Sequence, residues 1–140
     1  MTTRLLVTGG TGYLGGELLR RASAVGGWHT RKPRGAGEWV RLDVRDAGAV
    51  GRPLDRLRPE AVIHTAYRQD DRATTLGGAV AVAEAAAAVG ARLVHVSSDV
   101  IFDGTKPAPY TEDDPPSPIT DYGRAKAEAE GAVRAAHPGA

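Results

Sequence analysis

The 140-residue sequence predicts an α/β protein built on a parallel sheet. Three observations predict it. Short β-branched or apolar runs alternate with longer helix-like segments along the whole chain, the pattern of consecutive βαβ units. A glycine-rich turn, TGGTGYLG at positions 8–15, joins the first apolar run directly to the first helical segment. The composition, 41% hydrophobic and 25% charged with 18 Gly and 9 Pro, lies in the globular range and excludes disordered, collagen-like and coiled-coil classes. A chain of this length buries about 68–70% of its unfolded surface, enough for one domain over residues 1–140.

The elements follow in order. Residues 4–8 (RLLVT) form a compact apolar strand ended by glycines, and residues 12–22 carry Leu14, Leu18 and Leu19 at helical spacing. A second strand falls within residues 24–30 and a third within 39–44 (WVRLDV). Only about fifteen residues separate Gly15 from Arg31, so either the first helix is clipped or the second strand is short. Residues 45–57 read as an irregular helix broken by Gly48, Gly51 and Pro53. Residues 61–66 (AVIHTA) are the fourth strand, followed by a polar loop and a helix over 75–89 that Gly90 stops. Residues 92–97 (RLVHVS) are the fifth strand. From 99 to 121, five prolines among Asp, Thr and Gly mark a long loop of the kind that is usually functional. Asp121 is placed to cap a last helix over 122–136. That helix should cross over to another strand, so the sheet is expected to be truncated before its last strands.

Composition also removes functions. Eighteen basic and 17 acidic residues leave a net charge of +1, too little for a nucleic-acid partner. There is no cysteine, and His29, His64, His95 and His137 are scattered without an HExxH pattern, so no metal site is expected. The first ten residues carry one basic residue and a three-residue apolar run, which is no secretory leader. The alanine-rich run over 79–89 is too short for a bilayer and contains Glu84, leaving the cytoplasm as the expected location.

The chemistry starts at the glycine turn. Gly9, Gly12 and Gly15 stand at three-residue spacing between a strand and a helix, where glycines let the backbone approach a pyrophosphate and the helix N-terminus meets its charge. Thr11, Tyr13 and Leu14 belong to the same cradle. A P-loop is excluded, because Gly16-Glu17 stands where its lysine would be. A dinucleotide turn after the first strand makes the sheet Rossmann-like and doubly wound, with strand order 3-2-1-4-5. At the end of the second strand an acid would accept the ribose hydroxyls of NAD. None occurs between Glu17 and Glu38, while Arg31, Lys32 and Arg34 crowd the place, which favours NADP(H) over NAD(H). Asp43, with Val44, either reaches the adenine amino group or is an ordinary strand-end acid.

The last constellation is Ser98, Tyr122 and Lys126. Tyr122 and Lys126 are i and i+4 on one helix face, so the ammonium is expected to lower the phenol's pKa from about 10 and make it a proton donor. Ser98, just past the fifth strand, is placed to hydrogen-bond a substrate carbonyl while Tyr122 protonates its oxygen.

Together these residues resemble the extended short-chain dehydrogenase/reductase family, and within it the dTDP-4-dehydrorhamnose reductase branch. The most specific stretch is VHVSSDVIFDGTKPAPYTEDDPPSPITDYGRAKAEAE at positions 94–130, with its Ser-Asp pair, FDG turn, PYTE segment and YGxxK helix. The resemblance implies that Ser98, Tyr122 and Lys126 are the catalytic residues, that Tyr122 and Lys126 also contact the cofactor, and that Thr65, Ala66 and Tyr67 contact it after the fourth strand. It implies NADPH-dependent reduction of the 4-keto group of a deoxythymidine-diphosphate sugar. Members of the family are about twice this length, so the substrate domain and most of the nucleotide-sugar pocket are expected to be absent. Two other functions compete: a nucleotide-sugar epimerase or dehydratase with the same triad, and a non-catalytic dinucleotide-binding or regulatory protein. The fifth strand, left at a sheet edge, is expected to promote self-association.

Overall fold

The computed structural model describes residues 4–34 and 36–140. Residues 1–3, on which the leader reading partly rests, lie outside them. A five-stranded parallel sheet runs in the order β3-β2-β1-β4-β5, as the dinucleotide fold requires. The strands are β1 (Leu5–Thr8), β2 (Ala24–Trp28), β3 (Glu38–Arg41), β4 (Ala61–His64) and β5 (Arg92–His95). The helices are α1 (Tyr13–Arg21), α2 (Ala47–Leu57), α3 (Gly78–Ala88) and α4 (Asp121–Ala136).

Register sorts the side chains. Val25, Leu6, Val62 and Leu93 are aligned across four strands and, because strand side chains alternate, all point to one face. That face is covered by α2, α3 and α4, which supply Leu54, Val82, Ala83, Ala129 and Val133 to the core. α3 is apolar except for the exposed Glu84 because it is wedged between α2 and α4, and its small side chains permit the close approach. The other face receives α1 over β1 and β2, and Val94 of β5 is left 57% exposed there.

Three elements depart from expectation. The clipped element is α1, at nine residues, while β2 keeps five. β2 is compatible with Gly26 because the Trp39 ring and Leu19 lie where a side chain would be. α2 is a continuous helix despite Gly48, Gly51 and Pro53: Asp46 caps it by accepting from Ala49 N–H at 3.1 Å, and burial of Val50, Leu54 and Leu57 outweighs their low propensity. The cap of α4 is Thr120, whose Oγ1 accepts from Gly123 N–H at 3.0 Å, and Asp121 is instead its first helical residue, where its charge suits the dipole. A single π turn (Ala73–Gly77) precedes α3, and a short 3-10 turn (Asp99–Ile101) follows β5.

The proline-rich loop is ordered by two carboxylates, Asp103 and Asp114, the latter accepting from Lys106 Nζ at 2.6 Å and Thr111 N–H at 2.7 Å. Asp103 accepts from Tyr110 Oη at 2.6 Å and from Thr105 N–H at 3.0 Å, and the Tyr110 bond above all holds its pKa down at about 2. Tyr110 in turn stacks on Phe102 at 4.3 Å between ring centres.

Candidate functional site

The C-terminal edge of the sheet opens into a cleft of about 320 Å³ between the ends of β1, β2 and β4 and the turn after β3. Its floor is the glycine turn. Gly9 has φ +65°, and a Cβ there would stand 2.8 Å from Thr65 Oγ1 and 2.9 Å from the Ala66 nitrogen. Gly15 is buried, and a Cβ on it would collide with the Gly9 carbonyl. The turn is locked to β4 by Thr65, whose N–H donates to Thr8 Oγ1 at 3.2 Å and whose hydroxyl donates to the Thr8 carbonyl at 2.7 Å. α1 begins at Gly12 with no side-chain cap and no acid in its first turn. Its first N–H groups and dipole therefore present positive potential beside Thr11 and Gly12 on the cleft wall, which suits a diphosphate. Tyr13 is fully exposed and Leu14 largely so; neither lines the cleft, and what they offer it is main chain.

At one end of the cleft, β2 and the turn after β3 bring together His29, Arg31, Asp43, Val44 and Arg45. Asp43 does not stand ready for an adenine amino group. Its Oδ1 accepts from Arg45 N–H and Nε at 3.0 Å each, and its Oδ2 accepts from Arg45 Nη2 at 2.8 Å and lies 3.2 Å from His29 Nε2. The Arg45 bonds, the strongest influence, hold its pKa at about 2. Arg31 lines the cleft, and with Lys32 and Arg34 it continues into an adjoining groove floored by Thr11 and Trp39.

At the other end, Thr65, Ala66 and Tyr67 line the wall, and Tyr67 packs its ring on Tyr122 with centres 5.7 Å apart. Ser98 is the residue before the 3-10 turn; its Oγ donates to Asp99 Oδ1 at 3.3 Å, and it stands near enough to Tyr122 to act on the phenol. Tyr122 departs from the expected electrostatics. Its pKa is raised rather than lowered, first by burial and next by Tyr67, while Ser98 acts the other way. Lys126 does not depress it because its ammonium, on a side chain buried to 3% exposure, donates to the Val96 carbonyl at 2.6 Å. Burial in turn lowers the Lys126 pKa.

Beneath both ends runs a polar row in register: Thr8, His64 and His95. Thr8 Oγ1 accepts from Thr65 N–H and lies 2.7 Å from His64 Nδ1, the arrangement in which a neutral imidazole accepts the hydroxyl proton. His64 and His95 stack at 5.5 Å. Burial first, then the positive neighbours, push His64 to about 3 and His95 to about 4, so both are neutral at pH 7.

Sequence reasoning placed Gly9, Thr11, Gly12, Arg31, Asp43, Val44, Thr65, Ala66 and Tyr67, all of which line one cleft. It missed His29, Arg45, Arg68 and Thr74. His29 had a signal, since it follows β2 at the distance from Gly9 where this fold places its ribose-binding acid, about twenty residues on. Arg68 and Thr74 had none, because only the π turn and the bonds from Arg68 N–H to Thr75 and from Thr74 to Asp71 bring them to the wall.

Comparison with known proteins gives a consistent result. A family model described as the RmlD substrate binding domain matches residues 3–140. Methionine adenosyltransferase 2 subunit beta of Mus musculus is 39% identical over 145 residues, covering 93% of this chain and 42% of the relative. The crystal structure of dTDP-4-dehydrorhamnose reductase from Bacillus anthracis in complex with NADP superposes with a TM-score of 0.81 at 28% identity, covering 99% of this chain and 51% of that one. The Bordetella bronchiseptica enzyme WbmG in complex with NAD does so with a TM-score of 0.83 at 29% identity, covering 96% and 50%. The chain thus spans about half the length of the proteins it matches.

Proposed function

Because the chain belongs to the RmlD substrate binding domain family, we propose that it is the dinucleotide-binding half of an NADP(H)-dependent reductase acting on the 4-keto group of a nucleotide sugar. The observation that supports this most directly is continuity: one cleft leads from an uncapped helix N-terminus to Tyr67, whose ring packs on Tyr122 in the neighbouring groove. The Thr11–Gly12 turn and the α1 N-terminus would hold the diphosphate, Arg31 a 2′-phosphate, and Thr65 and Ala66 the reactive end. A bound dihydronicotinamide supplies the hydride. Reduction of a ketone also needs a proton at oxygen. Tyr122, kept in its neutral form by burial, is the donor, and Ser98 orients the carbonyl oxygen by hydrogen bonding. Lys126 fixes the first turns of α4 against the end of β5 through its bond to Val96.

A second reading, a non-catalytic dinucleotide-binding subunit, is favoured by one finding: the mouse relative is named as a subunit of a different enzyme. Two measurements separate them. The reductase reading expects NADPH to raise the melting temperature and, once the half that carries the sugar pocket is supplied, to be oxidised in the presence of a dTDP-4-keto-6-deoxy sugar; binding with no oxidation in that complete protein favours the subunit reading, and no binding removes both.

Among the described residues no helix is long and apolar enough to cross a membrane, and a cytoplasmic setting belongs with this reading. So does self-association through β5, whose outer edge pairs with no strand among the described residues and whose Val94 is exposed. Size-exclusion chromatography should show species larger than a monomer, and Val94→Lys should shift them toward it; a sharp wild-type monomer peak removes the idea.

A further inference from the structure

Asp43 is the single carboxylate that lines the cleft among the described residues, and its acceptor sites are taken. Oδ1 accepts from Arg45 N–H and Nε at 3.0 Å each, and Oδ2 accepts from Nη2 at 2.8 Å and, at greater length, from Nε at 3.3 Å. His29 Nε2, 3.2 Å from Oδ2, covers what the guanidinium leaves open. An ionised carboxylate has about two lone-pair sites on each oxygen, so none remains for an incoming N–H donor. The other side of the guanidinium is in the opposite state. Arg45 Nη1 makes no hydrogen bond among the described residues, since the Asp71 carboxylate stands 3.9 Å from it, too far for one. Asp71 is held where it is by accepting from Ala73 N–H at 3.0 Å and from Thr74 Oγ1 at 2.6 Å. This end of the cleft therefore offers a free donor, while the acceptor that would read an amino group is occupied.

We propose that Arg45, not Asp43, reads the nucleobase of the dinucleotide, and that the cleft therefore takes a 6-oxopurine base in preference to adenine. The inference rests on the dinucleotide reading above. A 6-oxopurine presents O6 and N7, two acceptors side by side, which a guanidinium meets with two parallel N–H bonds. Adenine presents N7 beside an amino group, and against Arg45 that amino group sets N–H to N–H. A carboxylate with a free oxygen would reverse the order. Asp43 has none to give unless the Arg45 fork opens, and the fork joins two charged groups two residues apart in one turn, fastened further by the Arg45 main-chain N–H. Bonds between charged groups are about twice as strong as neutral ones, so an uncharged amino group regains less at Asp43 than the guanidinium loses. Arg68, on the same wall, is no substitute acceptor: it only donates, and its Nε and Nη2 are bonded to Asp70 at 3.1 Å each.

The test is isothermal titration of the chain at neutral pH with NADPH and with its hypoxanthine counterpart, reduced nicotinamide hypoxanthine dinucleotide phosphate. The two share the phosphates, the riboses and the nicotinamide, and differ in the 6-amino and 6-oxo forms of the base. The hypoxanthine form should bind tighter by about fivefold or more, the lower end of what one bidentate base contact supplies. A smaller ratio, or one in favour of adenine, overturns the proposal. Arg45→Met keeps the reach of the side chain, removes its donors and frees Asp43, so the preference should vanish or turn to adenine; Arg45→Ala is the second such variant should the first melt early. A variant that keeps the wild-type preference overturns the role of Arg45 while leaving dinucleotide binding in place. Failure of both dinucleotides to bind the wild-type chain overturns the underlying reading as well.

Discussion

The phosphate end of the cleft and the reaction end beside it, whose Ser98, Tyr122 and Lys126 stand outside the cleft wall, are built by opposite means. At the phosphate end the geometry depends on side chains that are absent: Gly9 turns back with positive φ against Thr65, and Gly15 tucks under the Gly9 carbonyl. At the reaction end it depends on side chains that are present, Ser98, Tyr122 and Lys126, carried by a turn and a helix distant in sequence. The first end is a backbone surface that any added atom spoils. The second is a set of functional groups, of which the Tyr122 hydroxyl is removable without moving the chain. The difference teaches how each end should fail: the first by losing fold and binding together, the second by losing chemistry alone.

The largest effect is expected where the two modes separate most cleanly. Tyr122→Phe removes one oxygen and keeps the ring that packs on Tyr67. In the protein completed by its substrate-binding half, turnover of a keto sugar should fall by about 10²–10⁴-fold, the usual worth of a positioned acid, while the NADPH dissociation constant changes by less than about twofold. Steady-state and binding measurements on the same preparation check it, and an unchanged rate removes Tyr122 as the donor. Its raised pKa adds a sign: the phenol stays protonated past the ordinary value near 10, so activity should persist into alkaline solution rather than fade above neutrality.

Next in size is Gly9→Ala. The left-handed backbone costs an L-residue about 1–2 kcal/mol, and crowding against Thr65 and Ala66 about 1–3 more. Stability and dinucleotide binding should drop together, by about 2–5 kcal/mol in denaturant unfolding. A variant that melts normally and has lost binding would show that the turn is separable from the fold, and the contrast between the two ends would not hold.

Legibility follows the same division. The phosphate end was readable because glycine spacing records backbone geometry directly: the strand, the turn and α1 follow from a few letters. The triad could be named from spacing and resemblance, but its electrostatics could not. The i, i+4 relation puts Lys126 and Tyr122 on one face, yet burial turns the ammonium to the Val96 carbonyl and leaves the phenol's pKa raised. α2 was misread as broken because propensity counts Gly and Pro but not the burial of Val50 and Leu54. Asp121 was named as the cap one residue late, since Thr120 and Asp121 are both good caps and only the bond to Gly123 N–H decides.

Between the two ends lies the row Thr8, His64 and His95, which gives a third, smaller effect. The folded pKa of His64 is depressed to about 3 from an unfolded value of 6.5. A base depressed in this way contributes stability that is fully present above pH 6.5 and is lost as pH falls toward 3, because the unfolded chain binds the proton first. The loss is about 2 kcal/mol by pH 5 for one such group. Thermal melts at pH 7.5 and 5 should show it, and His64→Gln should weaken the dependence. Equal slopes in both proteins would remove His64 as its source. Since this row underlies both ends, acid should weaken binding and chemistry alike, unlike either substitution above.

The smallest effect sharpens the comparison from within the binding half. Arg31 is exposed on the cleft wall and belongs to the side chains that are present rather than absent. Arg31→Ala should therefore behave like a reaction-end change, selective and without cost to the fold. NADPH affinity should fall about tenfold at low salt and NADH affinity by less than about twofold, with melting unchanged. Because the charge is exposed, the difference should shrink toward threefold or less at about 0.5 M salt, where the Debye length is a few ångströms. Equal losses for both dinucleotides would mean that Arg31 supports the cleft's shape, so that the adenosine end, too, fails as the glycine turn does.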